Sequence, residues 1–259
     1  MTKTVLITGG TKGIGKVTAL QFAEKKYQIV VNYRSDEKQA EQFASKLSLV
    51  SGKECKIIKA DISTEKGCES LVSKIKEHDL HIDILIHNAG PYISDRKKMT
   101  EYSFNEWSTM INGNLNAVFH LSKAFIPHMR EQKWGRIITY GFDRAETAPG
   151  WMYRSAFAAA KSGLVSLTKT ISMEEAENGI TANMVCPGDI TGEWKEKVIE
   201  SAQESDDHQN PVGRPGTGED LARMISFLCD DHSDFVTGAV IPVTGGKDVL
   251  GKVFRDTVR

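Results

Sequence analysis

The sequence predicts an α/β fold in which about seven parallel strands form a doubly wound sheet with helices on both faces. Short β-branched segments alternate with longer segments of 3.6-residue apolar period, and this alternation runs through most of the 259 residues. A chain of this length can bury a large core as one α/β unit of about 250 residues. We therefore expect a single domain over residues 1–259.

The strands and helices alternate in chain order. The first strand is apolar, and it leads directly into a glycine-rich segment that opens the first helix. Strands are predicted at residues 4–8, 28–33, 56–60, 82–87, 136–140, 181–185 and 239–243. Helices are predicted at residues 13–26, 38–49, 64–78, 104–130, 155–178 and 219–230. This order favours parallel strands joined by helical crossovers.

The fourth predicted helix, residues 104–130, is apolar around most of its circumference. Its apolar residues are Trp107, Met110, Ile111, Val118, Phe119, Leu121 and Phe125. A helix that only covers a sheet needs a single apolar stripe. This pattern therefore predicts a second buried contact, either with another subunit or with loops of the same chain.

Composition and charge argue against several classes of function. The formal net charge is −1, from 33 basic and 34 acidic residues, so no strong field would gather nucleic acid or anionic lipid. No apolar run approaches the roughly 18 residues of a membrane span, and the N-terminus does not resemble a signal peptide. The four cysteines have no metal-binding or disulfide spacing. We expect a cytoplasmic protein without a metal, a nucleic-acid partner or a membrane partner.

The segment TGGTKGIG, residues 8–15, lies between the first strand and the first helix, which is the place of a dinucleotide-binding loop. Gly9 allows a tight turn, Gly13 allows close approach of a pyrophosphate, and Gly15 allows close helix packing. The helix N-terminus adds free N–H groups and partial positive charge. The predicted cofactor contacts in this loop are Gly9, Thr11, Lys12, Gly13, Ile14 and Gly15.

The end of the second strand favours NADP(H) over NAD(H). An NAD site has an acidic residue there to accept hydrogen bonds from the ribose 2′-hydroxyl, but this chain has Asn32, Tyr33 and Arg34. Arg34 can bind a 2′-phosphate through its guanidinium fork, and Lys12 adds a second cation. The alternative is that Arg34 is an ordinary solvated cation at a strand end.

Further motifs lie along the rest of the chain. They are the glycine-rich loop, Asn88-Ala89-Gly90, Lys161 after three alanines, and Pro187-Gly188 after the sixth strand. With these motifs the chain resembles the short-chain dehydrogenase/reductase family over nearly its whole length. Segments 135–138, 179–183 and 213–216 are most similar to bacterial 3-oxoacyl-[acyl-carrier-protein] reductases. The resemblance implies one Rossmann-type domain, the cofactor NADP(H), and a homotetramer built on the fourth and fifth helices.

The resemblance also implies where further cofactor contacts lie. Residues beside the adenine and its ribose are Asp61, Ile62, Asn88, Ala89 and Gly90. Residues over the nicotinamide are Pro187, Gly188 and Ile190, and Lys161 is expected on the nicotinamide ribose.

The catalytic residues of the family are only partly present. Lys161 and Asn114 match the family's lysine and its helical asparagine, whereas Phe157 stands where the family has its tyrosine and Phe142 where it has its serine. Phenylalanine has no O–H group to donate to a carbonyl oxygen during hydride transfer. A positioned acid typically contributes about 10²–10⁴ in rate, so we expect slowed chemistry.

Tyr153 is a candidate replacement acid, eight residues before Lys161. Enoyl-acyl-carrier reductases of the same superfamily place their tyrosine seven residues before the lysine, and the segment around Tyr153 is similar to theirs. The alternative is that Tyr153 is a substrate-wall or surface aromatic. The candidate catalytic residues are thus Asn114, Lys161 and Tyr153.

The leading interpretation is an NADPH-dependent reductase of an oxoacyl-type carbonyl in an acyl thioester or another small molecule. One alternative is an enoyl-thioester reductase that uses Tyr153, and another is an NADP(H)-binding protein with little or no turnover. Lys133 matches one carrier-protein contact of the resembling enzymes, but Asn178 stands at the second. We expect a substrate lid around residues 191–211 and a C-terminal tail at 247–259 that either frames a neighbouring subunit or forms surface.

Overall fold

A computed structural model describes residues 2–250 of the chain. Seven strands form one parallel sheet in the spatial order β3-β2-β1-β4-β5-β6-β7. The strands are β1 (Thr4–Ile7), β2 (Gln28–Tyr33), β3 (Lys56–Lys59), β4 (Ile84–His87), β5 (Gly135–Tyr140), β6 (Ile180–Pro187) and β7 (Val240–Val243). The predicted single-domain, doubly wound fold is confirmed. The strand order reverses between β1 and β4, and ligands bind above such a switch point in open α/β sheets.

Helices connect these strands. They are α1 (Gly13–Glu24), α2 (Glu37–Ser51), α3 (Glu65–Glu77), α4 (Phe104–Ile111), α5 (Ala117–Gln132), α6 (Ser155–Glu174), α7 (Ile199–Gln203) and α8 (Gly218–Leu228). Side chains of β1 alternate between the two sides of the sheet: Val5 and Ile7 pack with α1, α2 and α8, whereas Leu6 packs with α3, α5 and α6. The strands are therefore buried on both faces, as the apolar segments predict.

The fourth predicted helix contains a π-helical turn. Residues 104–130 are helical, as predicted, and a π-helical turn over Asn112–Asn116 lies between α4 and α5. A Cβ on Gly113 would lie 2.3 Å from Pro91 Cδ, and the wider turn brings the helix backbone close to the loop after β4. Such π bulges often occur at functional sites. Of the apolar residues named for this helix, Met110 and Leu121 are buried, while Phe119 is 49% exposed.

The predicted lid lies wholly within the described residues, whereas the predicted tail lies there only in part. Residues 192–196 form a 3₁₀ turn and α7 follows, an element that the sequence analysis did not predict. Residues 251–259 of the predicted tail lie outside the described residues. None of the helices within residues 2–250 has the length and apolar character needed to cross a membrane.

Candidate cofactor and active site

The glycine-rich loop turns sharply from β1 into α1. Gly9 and Gly13 have φ angles of +60°, which favour glycine. A Cβ on Gly15 would lie 2.5 Å from Asn88 Nδ2, and Asn88 donates hydrogen bonds to the carbonyls of Thr8 (2.9 Å) and Gly9 (3.0 Å). Gly15 therefore makes room for the amide that ties the loop to the end of β4.

A cavity of about 1030 Å³ opens above the carboxyl ends of β1, β2 and β4. Many predicted cofactor residues line it: Gly9, Thr11, Lys12, Gly13, Ile14, Asn32, Tyr33, Arg34, Asp61, Ile62, Asn88, Ala89 and Gly90. Within the described chain, Gly15, Lys161, Pro187, Gly188 and Ile190 are not among its lining residues. The structure thus brings together the groups predicted for the adenosine and pyrophosphate, but not those predicted for the nicotinamide.

Charges of both signs lie at the adenosine rim of the cavity. Lys12 and Arg34 are exposed there, and Asp36 lies beside them. Asp36 caps α2 by accepting a hydrogen bond from the Gln39 N–H at 2.9 Å, so one of its oxygens is already occupied. The two cations make this rim suitable for a phosphate group.

Asn32 has a structural role that its sequence position did not reveal. Its side chain is 2% exposed, and its Nδ2 donates to the carbonyls of Ile58 (3.2 Å) and Ala60 (3.0 Å). The amide thus holds the end of β2 to β3 and the loop that follows. Asn32 borders the cavity while its amide hydrogens are used within the protein.

The Lys161 end of the crevice is filled with aromatic side chains. The Phe157 ring centre lies 5.1 Å from that of Tyr92, 5.9 Å from that of Trp151 and 6.3 Å from that of Phe142. The Lys161 Nζ lies 5.6 Å from the centre of the Phe157 ring, which is within reach of a cation–π contact. We call these four aromatic residues the aromatic cluster.

Burial perturbs the ionisable groups beside this cluster. Lys161 is 5% exposed, and burial lowers the pKa of its ammonium to about 8 because a desolvated charge is unfavourable. Burial, together with the charge of Lys161, lowers the pKa of His87 to about 3. His87 Nε2 lies 3.2 Å from Ser122 Oγ, so this neutral histidine joins the end of β4 to α5.

Asn114 lies in the π-helical turn, and its amide is aimed at the loop after β4. Its Nδ2 donates to the carbonyls of Pro91 (2.9 Å) and Met110 (3.0 Å). Its buried Oδ1 has no hydrogen-bond partner among the described residues, and a Cβ on Gly90 would lie 2.3 Å from this oxygen. Glycine at position 90 therefore leaves the amide oxygen room beside the cavity wall.

Tyr153 is not among the residues that line the main cavity. Its backbone is left-handed, with φ +66°, and the Arg96 guanidinium lies 5.9 Å from the centre of its ring. Its carbonyl accepts hydrogen bonds from the Tyr102 hydroxyl (3.2 Å) and Arg154 (2.9 Å). These contacts fix the backbone of Tyr153, and its ring packs with Arg96.

Arg154 connects the segment before α6 to the loop after β4. Its guanidinium donates to the Tyr92 hydroxyl (2.7 Å), to the Ser94 carbonyl (2.8 Å) and to the Asp95 carbonyl (2.7 Å). Tyr92 also lines the main cavity. Tyr92 was not predicted as a site residue, because its ring contact with Phe157 joins residues far apart in the chain.

The sequence analysis also missed how residues 192–197 close the cavity. Gly192, Glu193, Lys195, Glu196 and Lys197 line it, although this stretch was expected only as a general substrate lid. Glu196 accepts a hydrogen bond from the Gly13 N–H at 2.7 Å. Acidic residues after β6 were the available signal, but sequence spacing does not reveal which N–H group they reach.

Comparison with known proteins agrees with this geometry. A family model described as "Enoyl-(Acyl carrier protein) reductase" matches residues 9–248. The chain belongs to the short-chain dehydrogenase/reductase family. A relative from this family, named "Putative oxidoreductase YtkK" in Bacillus subtilis (strain 168), is 50% identical over 95% of this chain and 97% of its own length. The 3-oxoacyl-[acyl-carrier-protein] reductase FabG of Staphylococcus aureus is 31% identical over 95% of this chain and 98% of its own length.

Solved structures of similar proteins share the fold. A structure titled "putative 3-oxoacyl-reductase from bacillus thuringiensis" is 50% identical, with a TM-score of 0.90 over 96% of this chain and all of the other. A blue fluorescent protein from a metagenomic library, solved in complex with NADPH, is 28% identical, with a TM-score of 0.81 over 94% of this chain and 97% of its own. The protein is thus an oxidoreductase of the short-chain dehydrogenase/reductase family, and its relatives support a nicotinamide cofactor.

Proposed function

We propose that the protein is an NADP(H)-dependent reductase of an oxoacyl-type carbonyl in an acyl thioester, with slow chemistry. Two observations together carry the proposal. Lys12 and Arg34 place two cations at the rim of the cavity, and Lys161 is buried outside its lining. The names of its relatives favour 3-oxoacyl substrates.

The residues present fit a dinucleotide phosphate. The Gly13 N–H already binds a carboxylate oxygen at 2.7 Å, and this anion shows that the helix N-terminus accepts negative charge. Gly9, Gly13 and Ile14 would hold the pyrophosphate, Asp61 and Ile62 the adenine, and Asn88 to Gly90 the ribose. Lys161 would bind the nicotinamide ribose, with Pro187, Gly188 and Ile190 over the ring. Bound NADPH would supply the hydride.

The chain's own residues would orient the substrate and hold a proton. We assign the buried Lys161 ammonium to the ribose and to stabilisation of negative charge that develops on the carbonyl oxygen. Its pKa of about 8 also makes it a better proton donor near neutral pH than an ordinary lysine. Asn114 would support a proton path at the cavity wall through its unpartnered Oδ1, and the aromatic cluster would exclude water.

The packing of the aromatic cluster also favours a second candidate function. Phe142 is 4% exposed, and its ring lies 5.1 Å from that of Trp151, so hydrocarbon fills the place expected for a hydroxyl donor. Such apolar packing, with no hydroxyl donor, is what we expect of an NADP(H)-binding protein with little or no turnover. The other alternative, an enoyl-thioester reductase, requires Tyr153 to move from Arg96 into the site.

The proposal extends to partners and assembly. We expect a cytoplasmic homotetramer built on α4 to α6, for which the exposed Phe104 and Phe119 offer apolar surface. An acyl-carrier protein is a weaker expectation. Lys133 donates a hydrogen bond to Asn178 at 2.9 Å, so the expected cation is engaged within the chain.

The test is single-turnover oxidation of bound NADPH, followed by absorbance, with 3-oxoacyl and trans-2-enoyl thioesters of equal chain length. NADPH affinity is measured in the same samples. Faster oxidation by the 3-oxoacyl thioesters is the expected result, faster oxidation by the enoyl thioesters would favour the Tyr153 alternative, and tight binding without oxidation would favour the binding protein.

A further inference from the structure

The 3₁₀ turn Gly192–Glu196 places an acidic side chain on the glycine-rich loop. Glu196 Oε1 accepts a hydrogen bond from the Gly13 N–H at 2.7 Å, and Glu196 Oε2 accepts one from Lys16 Nζ at 2.6 Å. Gly13 is the first residue of α1. The carboxylate therefore lies on the helix N-terminus that faces the cavity.

This N-terminus offers an anion an unsatisfied donor. Lys12, at the cap of α1, makes no side-chain capping hydrogen bond, so the free N–H groups of the first turn need other acceptors. Burial alone would raise the pKa of Glu196, but hydrogen bonds from Lys16 and Gly13 hold it below its usual range. The side chain is thus an anion at neutral pH.

The backbone of the turn is anchored, so the carboxylate can leave without the turn unfolding. Trp194 packs against the core beneath α1 and α8. The Lys195 carbonyl approaches Gly218 so closely that a Cβ there would lie 2.1 Å from its oxygen. Glu196 itself is 37% exposed, and rotation of its side chain is enough to free the Gly13 N–H.

We propose that Glu196 is an internal competitor of the cofactor's pyrophosphate, which must displace the carboxylate from Gly13 before it can bind. The proposal rests on the proposed NADP(H) site. One N–H group donates one strong hydrogen bond, so the carboxylate and a phosphate oxygen cannot both take it. A displaced carboxylate that stays nearby would also repel the phosphates. Glu196 therefore lowers the affinity for dinucleotides and leaves the adenosine end unaffected.

The experiment compares two ligands and four full-length proteins. The ligands are NADPH and adenosine 2′-monophosphate, which lacks a pyrophosphate. The proteins are the wild type, Glu196→Ala, Glu196→Gln and the matched control Glu200→Gln, whose carboxylate is exposed in α7 and does not line the cavity. Dissociation constants are measured by fluorescence or calorimetric titration, and thermal unfolding checks that each variant is folded.

Both Glu196 variants should bind NADPH about 3–10-fold more tightly than the wild type, which matches an exposed, charge-assisted contact. Their affinity for adenosine 2′-monophosphate should be unchanged, as should both affinities of Glu200→Gln. Glu196→Gln serves as the test if Glu196→Ala does not fold.

NADPH binding that is unchanged or weaker in the folded Glu196 variants would overturn the proposal. Equal tightening of both ligands would also overturn it, because it would indicate a general charge effect. If adenosine 2′-monophosphate binds but none of the four proteins binds NADPH, the proposed function itself fails and the competitor role fails with it.

Discussion

At the glycine-rich end of the crevice, backbone N–H groups and exposed cations face an open cavity, whereas at the Lys161 end four aromatic residues pack together and one of them, Phe157, contacts the buried ammonium. The first end depends on backbone geometry, on φ angles that favour glycine and on a helix N-terminus. The second depends on individual side chains, where a change from a hydroxyl to a hydrocarbon removes a proton donor and leaves the fold unchanged. The two ends are thus built from different kinds of group, backbone N–H donors at the first and side chains at the second.

The sharpest way to break the comparison is to remove the Lys161 ammonium. Lys161→Met should lower the single-turnover rate of NADPH oxidation by about 10²–10³-fold, because the ammonium is the buried cation that we assign to the developing charge. Lys169→Met, an exposed lysine on the same helix, is the matched control. A rate within threefold of the wild type would remove Lys161 from the chemistry.

A second prediction concerns the glycine-rich end of the crevice, where Arg34 is assigned to the 2′-phosphate. Arg34→Ala should raise the dissociation constant of NADPH by about 10–100-fold and leave that of NADH within twofold, because the guanidinium is expected to bind only the 2′-phosphate. Lys38→Ala, an exposed cation on α2, should change neither value. Equal losses for both cofactors would contradict the assignment of Arg34.

A third prediction concerns stability at the reactive end. The pKa of Lys161 falls from 10.5 to about 8 on folding, so the unfolded chain binds more protons between these pH values. The contribution of Lys161 to the free energy of unfolding therefore rises with pH between about 8 and 10.5. Below about pH 8 the folded protein bears the full cost of burying the charged ammonium. Lys161→Met should be more stable at pH 7 by about 1–3 kcal/mol, with a smaller gain near pH 10. Urea unfolding at both pH values measures this, and a variant less stable at pH 7 would contradict it.

The smallest effect is expected at Tyr153. Tyr153→Phe should leave the rate within about threefold, because the ring packs with the Arg96 guanidinium. A fall of about 10²-fold, the size expected for loss of a positioned acid, would favour the enoyl-reductase alternative. Comparing 3-oxoacyl and trans-2-enoyl thioesters with this variant shows which reaction uses the hydroxyl.

The sequence predicted the sheet and the glycine-rich turn because local patterns determine them. The period of apolar residues indicates strands and helices, and Gly9 and Gly13 mark a turn that needs positive φ. The π-helical turn at Asn112–Asn116 was missed, since it depends on the close approach of Gly113 to Pro91. Long-range contacts decide such features, and residue spacing does not encode them.

The same reasoning applies to side chains in the candidate site. Asn32 was predicted as a cofactor contact, but its amide donates hydrogen bonds to the carbonyls of Ile58 and Ala60. Glu196 was not predicted as a site residue, because 183 residues separate it from the Gly13 N–H that it binds. In both cases the sequence gives the type of side chain, but its hydrogen-bond partner is determined by the folded chain.

A crystal structure of the protein with NADPH would test the proposed cofactor site most directly. We expect the 2′-phosphate between Lys12 and Arg34, the pyrophosphate on the Gly13 N–H, and the nicotinamide ribose within hydrogen-bond distance of Lys161 Nζ. An adenosine end bound elsewhere, or a nicotinamide end kept away from Lys161 by the aromatic cluster, would contradict it.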